Sequence, residues 1–226
     1  MGKTEALRAA LTSAGARVGR PFKGAADALL AALLAPVCAG CRLTLESPLN
    51  GPVCGRCLID AHLAEGRYDG PLREIIHAFK YEGRRSLAQP LGTLLRQSNS
   101  RALEDAACVV PVPLFAGRKL RRGFNQATEL AKHLDLPVVH ALWRVRVTAS
   151  QTGLTAIERR LNVHRAFRLS PFLSRETRLR CIAGRVVVLV DDVMTTGATS
   201  EACADVLRQA GAREVRVVTL ARAAVN

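Results

Sequence analysis

The chain has 226 residues, enough for one full core and a small appendage, and its 49% hydrophobic content excludes a disordered polymer. The net charge of +14 is uneven: residues 108–180 hold 14 Lys and Arg against 4 Asp and Glu, while residues 181–226 balance at 5 and 5. Such a basic segment attracts pyrophosphates and nucleic acids alike, and charge alone does not separate them.

Residues 1–23 are basic and rich in small side chains but lack the uninterrupted apolar centre of a secretory signal, so the expected compartment is cytoplasmic. Residues 25–37 contain Asp27 and are too short for a membrane span, which needs about 20 apolar residues; they predict a buried or docking helix. Two CxxC pairs follow, Cys38 with Cys41 and Cys54 with Cys57. Two residues between cysteines let both thiolates face one metal from a tight turn, and Gly40 and Gly55 lie inside those turns, where a positive φ is useful. Four thiolates leave no open coordination position, so the metal is structural, replacing a core that so short a segment cannot build. Zinc and iron both accept four sulfurs; Arg42 and Arg56 suit a zinc centre left net negative by its ligands. Cys108, Cys181 and Cys203 read as small core residues.

After a turn at residues 68–71, the apolar positions Leu72, Ile75, Ile76 and Phe79 predict an amphipathic helix over 72–81, with Lys80 off its apolar face. Beyond the tract FKYEGRR, Leu87, Leu91, Leu94 and Leu95 predict a second helix around 86–103, with Pro90 near its start. Residues 108–114, CVVPVPL, predict a short buried strand, the first of the main sheet, stopped by its prolines. The following loop packs Arg118, Lys119, Arg121 and Arg122 between glycines before a helix over 127–134. A second strand is expected over 136–142, then a long polar, basic stretch over 144–167, and a strand over 213–220, which with the segment below makes at least four strands crossed by helices.

Residues 186–200, VVVLVDDVMTTGATS, carry the most chemical information. Val186 to Val190 lack polar alternation, as does a strand buried on both faces of a parallel sheet, and the acids Asp191 and Asp192 fall at its carboxyl end. A helix follows over 198–210, with Ala202, Val206 and Ala210 on one face and Gly211 placed to end it. Strand, turn and helix aim the amides of Thr195, Thr196, Gly197, Ala198 and Thr199, with the positive end of the helix dipole, at a point where a phosphate can sit. Adjacent carboxylates beside a phosphate cradle suit a sugar phosphate, whose hydroxyls they accept or whose magnesium ion they hold.

This segment resembles the phosphoribosyl pyrophosphate (PRPP) signature of type I phosphoribosyltransferases. The resemblance implies that Asp191 and Asp192 bind the ribose hydroxyls and that Thr195 to Thr199 bind the 5′ phosphate. It further implies that the loop with Arg118, Lys119 and Arg122 binds pyrophosphate, and that Arg146, Arg159 and Arg160 belong to a lid that closes over the sugar to exclude water. Any one of these arginines is as readily a surface charge, and only their clustering informs. The order of the CxxC pairs, AFKYEGRR, VPVPL with RRGFNQA, QTGLTAIERRLNVHRAF and VLVDDVMTTGAT is similar to the ComF family, also called GntX-like, over nearly everything after Ala25. That family joins a zinc ribbon to a phosphoribosyltransferase-like domain and is named for competence, the uptake of transforming DNA.

The expected fold is therefore α/β: a type I phosphoribosyltransferase-like parallel sheet flanked by helices, with a small N-terminal zinc ribbon. The expected divisions are an N-terminal helical segment (1–35), the ribbon (36–62), a helical linker or hood (63–105) and the phosphoribosyltransferase-like domain (106–226). Three functions fit. The first is Mg²⁺-assisted displacement of pyrophosphate from PRPP, with Lys80 or Tyr81 as guesses toward the acceptor. The second is single-stranded DNA handling by the basic segment, where an aromatic content of 4%, with few aromatics near the arginines, favours backbone contact over base stacking. The third is an adaptor docking the competence helicase machinery, with no chemistry.

Overall fold

The computed structural model describes residues 26–30, 34–63, 66–115, 117, 123–145 and 166–223. Its centre is a parallel sheet of β1 (Ala106–Pro111), β4 (Val186–Met194) and β5 (Glu214–Arg222) in the order β1-β4-β5. The first five residues of β4 are fully buried valines and a leucine, as a central strand covered on both faces requires. Backbone pairing widens the sheet at both edges, with Val138 bridging Val109 and Arg67 bridging Arg222, both parallel.

Helix α1 (Gly55–Leu63) starts at the second CxxC pair and packs on α2 (Gly70–Tyr81). Leu72, Ile75, Ile76 and Phe79 of α2 are at most 1% exposed, each contributing about 1.5–3 kcal/mol by burial. The helix expected over 86–103 is divided: a 3-10 turn (Arg85–Leu87), α3 (Ala88–Ser98) and α4 (Ser100–Leu103). The break falls at Asn99, whose φ of −125° is not helical and whose side chain donates to the Leu95 carbonyl at 2.9 Å. A polar side chain competing for the helix carbonyls ends the helix there.

Helix α5 (Gln126–Ala131) follows the basic loop, and the antiparallel ribbon of β2 (Leu142–Arg144) and β3 (Phe167–Leu169) lies to its C-terminal side in sequence. The single strand expected over 136–142 is two pairings: Val138 lies along β1, and the chain then turns outward so that Leu142 pairs with Leu169. Pro137 at the start of this stretch has no amide to give a ladder, though its carbonyl accepts from Val109 at 2.9 Å. Helices α6 (Arg175–Cys181) and α7 (Ala198–Gln209) complete the fold. Gly211, at φ 100°, ends α7 as expected, with its amide on the Arg208 carbonyl.

β4 does not stop before its acids. It continues through Asp191 and Asp192 to Met194, because β5 keeps pairing with it, Asp191 opposite Thr219 and Met194 opposite Arg222. β1 stops earlier, Pro111 opposite Val190. The acids therefore stand at a step in the sheet, at its carboxyl end, where one neighbouring strand has ended, the position at which open α/β sheets take ligands.

Candidate functional site: an acid pair and a phosphate turn beside a four-cysteine ribbon

Asp191 and Asp192 are both half-buried. Each acid accepts the next residue's amide: Asp192 N donates to Asp191 Oδ1 at 2.9 Å, and Val193 N to Asp192 Oδ1 at 2.6 Å. Burial first, and the charge of Asp192 second, push the Asp191 carboxyl up to about 7, against the Asp192 amide, Lys80 and Arg144. Cys203, read from sequence as a core residue, is fully buried, and burial together with the nearby Asp191 raises its thiol.

The turn after β4 places Thr195 and Thr196 in solvent and Gly197 at φ 77°, the left-handed conformation that favours glycine, as the N-cap of α7. The first amides of α7 have no partner within the helix, an arrangement that, with the dipole, suits an anion.

Lys80, named from the sequence only as a guess toward the acceptor, lies against the acid pair. Its Nζ lies 2.9 Å from Asp192 Oδ1, with side chains only 13% and 14% exposed. A lysine in the last turn of a helix reads locally as a partner of the helix dipole, and no local pattern aims it across the molecule at β4. Tyr81, the other acceptor guess, is 58% exposed and packs on His77 at 4.8 Å. Arg144, not singled out in the basic stretch, lies over the Phe167 ring at 5.2 Å and acts on Asp191 through its charge.

Arg118, Lys119, Arg122, Arg146, Arg159 and Arg160 lie outside the described residues. The residues flanking both basic segments are described. Val112 donates to the Val190 carbonyl at 2.9 Å and accepts from Asn125 Nδ2 at 3.0 Å, so residues 112 and 125 meet beside the acids. Arg144 pairs with Phe167 across the β2–β3 ribbon, which joins the ends of the second segment.

The sulfurs of Cys38, Cys41, Cys54 and Cys57 lie within 4.8 Å of one another, and Cys41 Sγ is 3.9 Å from Cys54 Sγ. A tetrahedron of about 2.3 Å zinc–sulfur bonds has edges of about 3.8 Å, so this donor set fits a structural zinc. Although burial opposes it, the Cys38 thiol is held down to about 7 by backbone amides, among them Cys54 N and Gly40 N, each 3.3 Å from its sulfur. Burial pushes the Cys57 thiol up. Glycine serves these turns differently from the expectation. Neither Gly40 nor Gly55 has a positive φ; the left-handed residue is Arg42, at φ 62°. Gly40 is required by proximity instead, since a Cβ there would lie 2.9 Å from both Cβ and Sγ of Cys57.

The phosphoribosyl transferase domain family matches residues 120–225. Competence protein F of Haemophilus influenzae is 34% identical over 83% of this chain and 90% of its own length. The chain belongs to the ComF family. Another member, DNA utilization protein YhgH of Escherichia coli K12, is 33% identical over 82% of this chain and 90% of its own. Competence protein ComFC of Bacillus subtilis is 31% identical over 69% of this chain and 61% of its own length. Among solved structures, the allosteric regulatory enzyme of purine biosynthesis is 22% identical with a TM-score of 0.41, covering 64% of this chain and 30% of that one. This ComF chain thus carries a phosphoribosyltransferase-type domain and a four-cysteine cluster fit for zinc. Among its described residues no helix is long and apolar enough to cross a membrane.

Proposed function

We propose that this cytoplasmic ComF protein binds PRPP, or a related phosphoribosyl ligand, with Mg²⁺. In this reading Asp191 and Asp192 accept the ribose hydroxyls and the turn from Thr195 to Thr199 takes the 5′ phosphate. The observation that carries it is the acid pair at the step of the sheet, followed directly by the glycine-capped N-terminus of α7. Arg118, Lys119 and Arg122, with Arg146, Arg159 and Arg160, are the proposed partners of the pyrophosphate, and bound Mg²⁺ would neutralise part of its charge. Transfer of the phosphoribosyl group to an acceptor is the chemistry such a site supports, through positioning and electrostatics. Calorimetric titration of PRPP with Mg²⁺ should give saturable heat with the wild type and none with the Asp191→Asn, Asp192→Asn double variant. Equal heats from both proteins would refute the assignment of the acids.

A second role, contact with single-stranded DNA, is favoured by one surface and by the relatives' names, which speak of competence and DNA utilization. Trp143 and Phe172 are 49% and 83% exposed and meet edge to face with centroids 6.1 Å apart. Arg168 stands directly opposite Trp143 in the β2–β3 ribbon. Few as the aromatics are, these two pair beside an arginine, which supports base stacking as well as backbone contact. Single-strand affinity should fall with salt at a slope of about −0.7 per phosphate contacted and drop on Trp143→Ala. A flat salt dependence would remove this role.

A further inference from the structure

Seven consecutive residues, 79–85, tie the ribbon to the acid pair. Phe79 is fully buried and packs on Phe124 with centroids 5.4 Å apart. Lys80 reaches Asp192. Glu82 takes both terminal nitrogens of Arg42, Nη1 to Oε2 at 3.0 Å, and Arg84 Nη1 donates to the Val37 carbonyl at 3.1 Å. Arg85 reaches Glu129 of α5 at 2.9 Å and lies over the Phe124 ring. Arg42 and Val37 flank the first cysteine pair, and the Arg42 amide donates to the Cys38 carbonyl at 3.0 Å. A Cβ on Gly40 would come within 3.5 Å of Ile75, so α2 rests on the cysteine knuckle itself. The orientation of Arg42 follows from the closed knuckle, and the end of α2 follows from Arg42.

At the other end of this linkage the lysine does something specific. Lys80 Nζ and the Val193 amide both bind Asp192 Oδ1. Both contacts hold the Oδ1 side of the carboxylate, so in the reading above Oδ2 is the oxygen offered to a ligand hydroxyl. The pair's low exposure makes it stronger than a surface ion pair, and loss of either partner leaves a charge poorly solvated.

We propose that Lys80 is a positioning residue of the phosphoribosyl site, held on Asp192 by the ribbon, so that metal at the four cysteines and ligand at the acid pair bind cooperatively. This rests on the PRPP reading above. With the knuckle closed, Glu82 and Arg84 hold the last turn of α2 against the ribbon and Lys80 stays on Asp192. With the knuckle open, those two anchors lose their partners, the turn is released, and Asp192 loses its orienting cation. Coupling of binding free energies is reciprocal, so the ligand must tighten the metal by the factor by which the metal tightens the ligand.

The experiment follows zinc release from the full-length, zinc-loaded protein into a zinc-selective chelator, with and without saturating PRPP, Mg²⁺ being present in both arms. PRPP should raise the chelator concentration needed for half release by about tenfold, within the ordinary range of such coupling. Lys80→Met should bind PRPP more weakly and lose the shift, and Lys80→Arg should regain part of it. Glu82→Gln, which leaves the acid pair untouched, should also lose most of the shift. Coincident release curves beside a normal PRPP heat for the wild type would overturn this inference alone. Absence of any PRPP heat for the wild type would overturn it together with the reading on which it rests.

Discussion

Gly40 and Gly55, each adjacent to a cysteine of its CxxC pair, have different duties, and substitution separates them. Gly40→Ala places a methyl 2.9 Å from Cys57 Cβ and Sγ, so the sulfur must move off its tetrahedral position. Metal affinity should fall by roughly 10- to 100-fold, the size of effect seen when support of a metal ligand is lost, as read by competition with a chelator. Gly55→Ala meets nothing within 4 Å and should leave both the metal-binding and the unfolding free energy within about 0.5 kcal/mol of wild type. The acid pair makes a pH prediction of definite sign. Burial, then the charge of Asp192, raises Asp191 to about 7, so the folded chain holds that proton more tightly than the unfolded one. Its contribution to stability is complete below about pH 4 and is lost as pH rises through about 7, with a limiting slope of about 1.4 kcal/mol per pH unit. Without ligand or divalent cation, the wild type should lose melting temperature between pH 5 and 8 faster than Asp191→Asn. Parallel curves would show that Asp191 does not titrate in that window.

At the scale of elements, Asn125 joins the end of β1 to α5, capping α5 by accepting from Ala127 N at 3.0 Å while its Nδ2 donates to the Val112 carbonyl. Asn125→Ala removes both bonds and should destabilise the fold by about 1–2 kcal/mol in urea unfolding, with weaker binding of pyrophosphate if the basic loop after β1 is its partner. Elements that depend on their own residues were legible in the sequence. The periodicity of Leu72, Ile75, Ile76 and Phe79 specifies the buried face of α2, and five apolar residues specify the covered half of β4. Elements that depend on a neighbour were misplaced. β4 outruns its apolar run because β5 continues to pair with it, and Val138 joins β1 while Leu142 turns to β3, a division that no alternation in residues 136–142 records.

For the whole molecule, the sequence held the acids, the turn and the four cysteines, because each of those chemistries needs its residues close together along the chain. It did not hold Lys80 on Asp192, a contact spanning more than a hundred residues and created by the docking of α2 between ribbon and sheet. It also did not hold the pairing of Trp143 with Phe172, since aromatic content says nothing about where the few aromatics meet. On the proposal above, two chemistries share one frame: a thiolate cluster that sets the position of a helix, and an acid pair that the helix serves. Amide hydrogen exchange with and without Mg²⁺–PRPP places the ligand most directly. Binding at the proposed site predicts slowed exchange at the backbone amides of residues 195–199 and at the last turn of α2; saturable binding with unchanged exchange at 195–199 would contradict it.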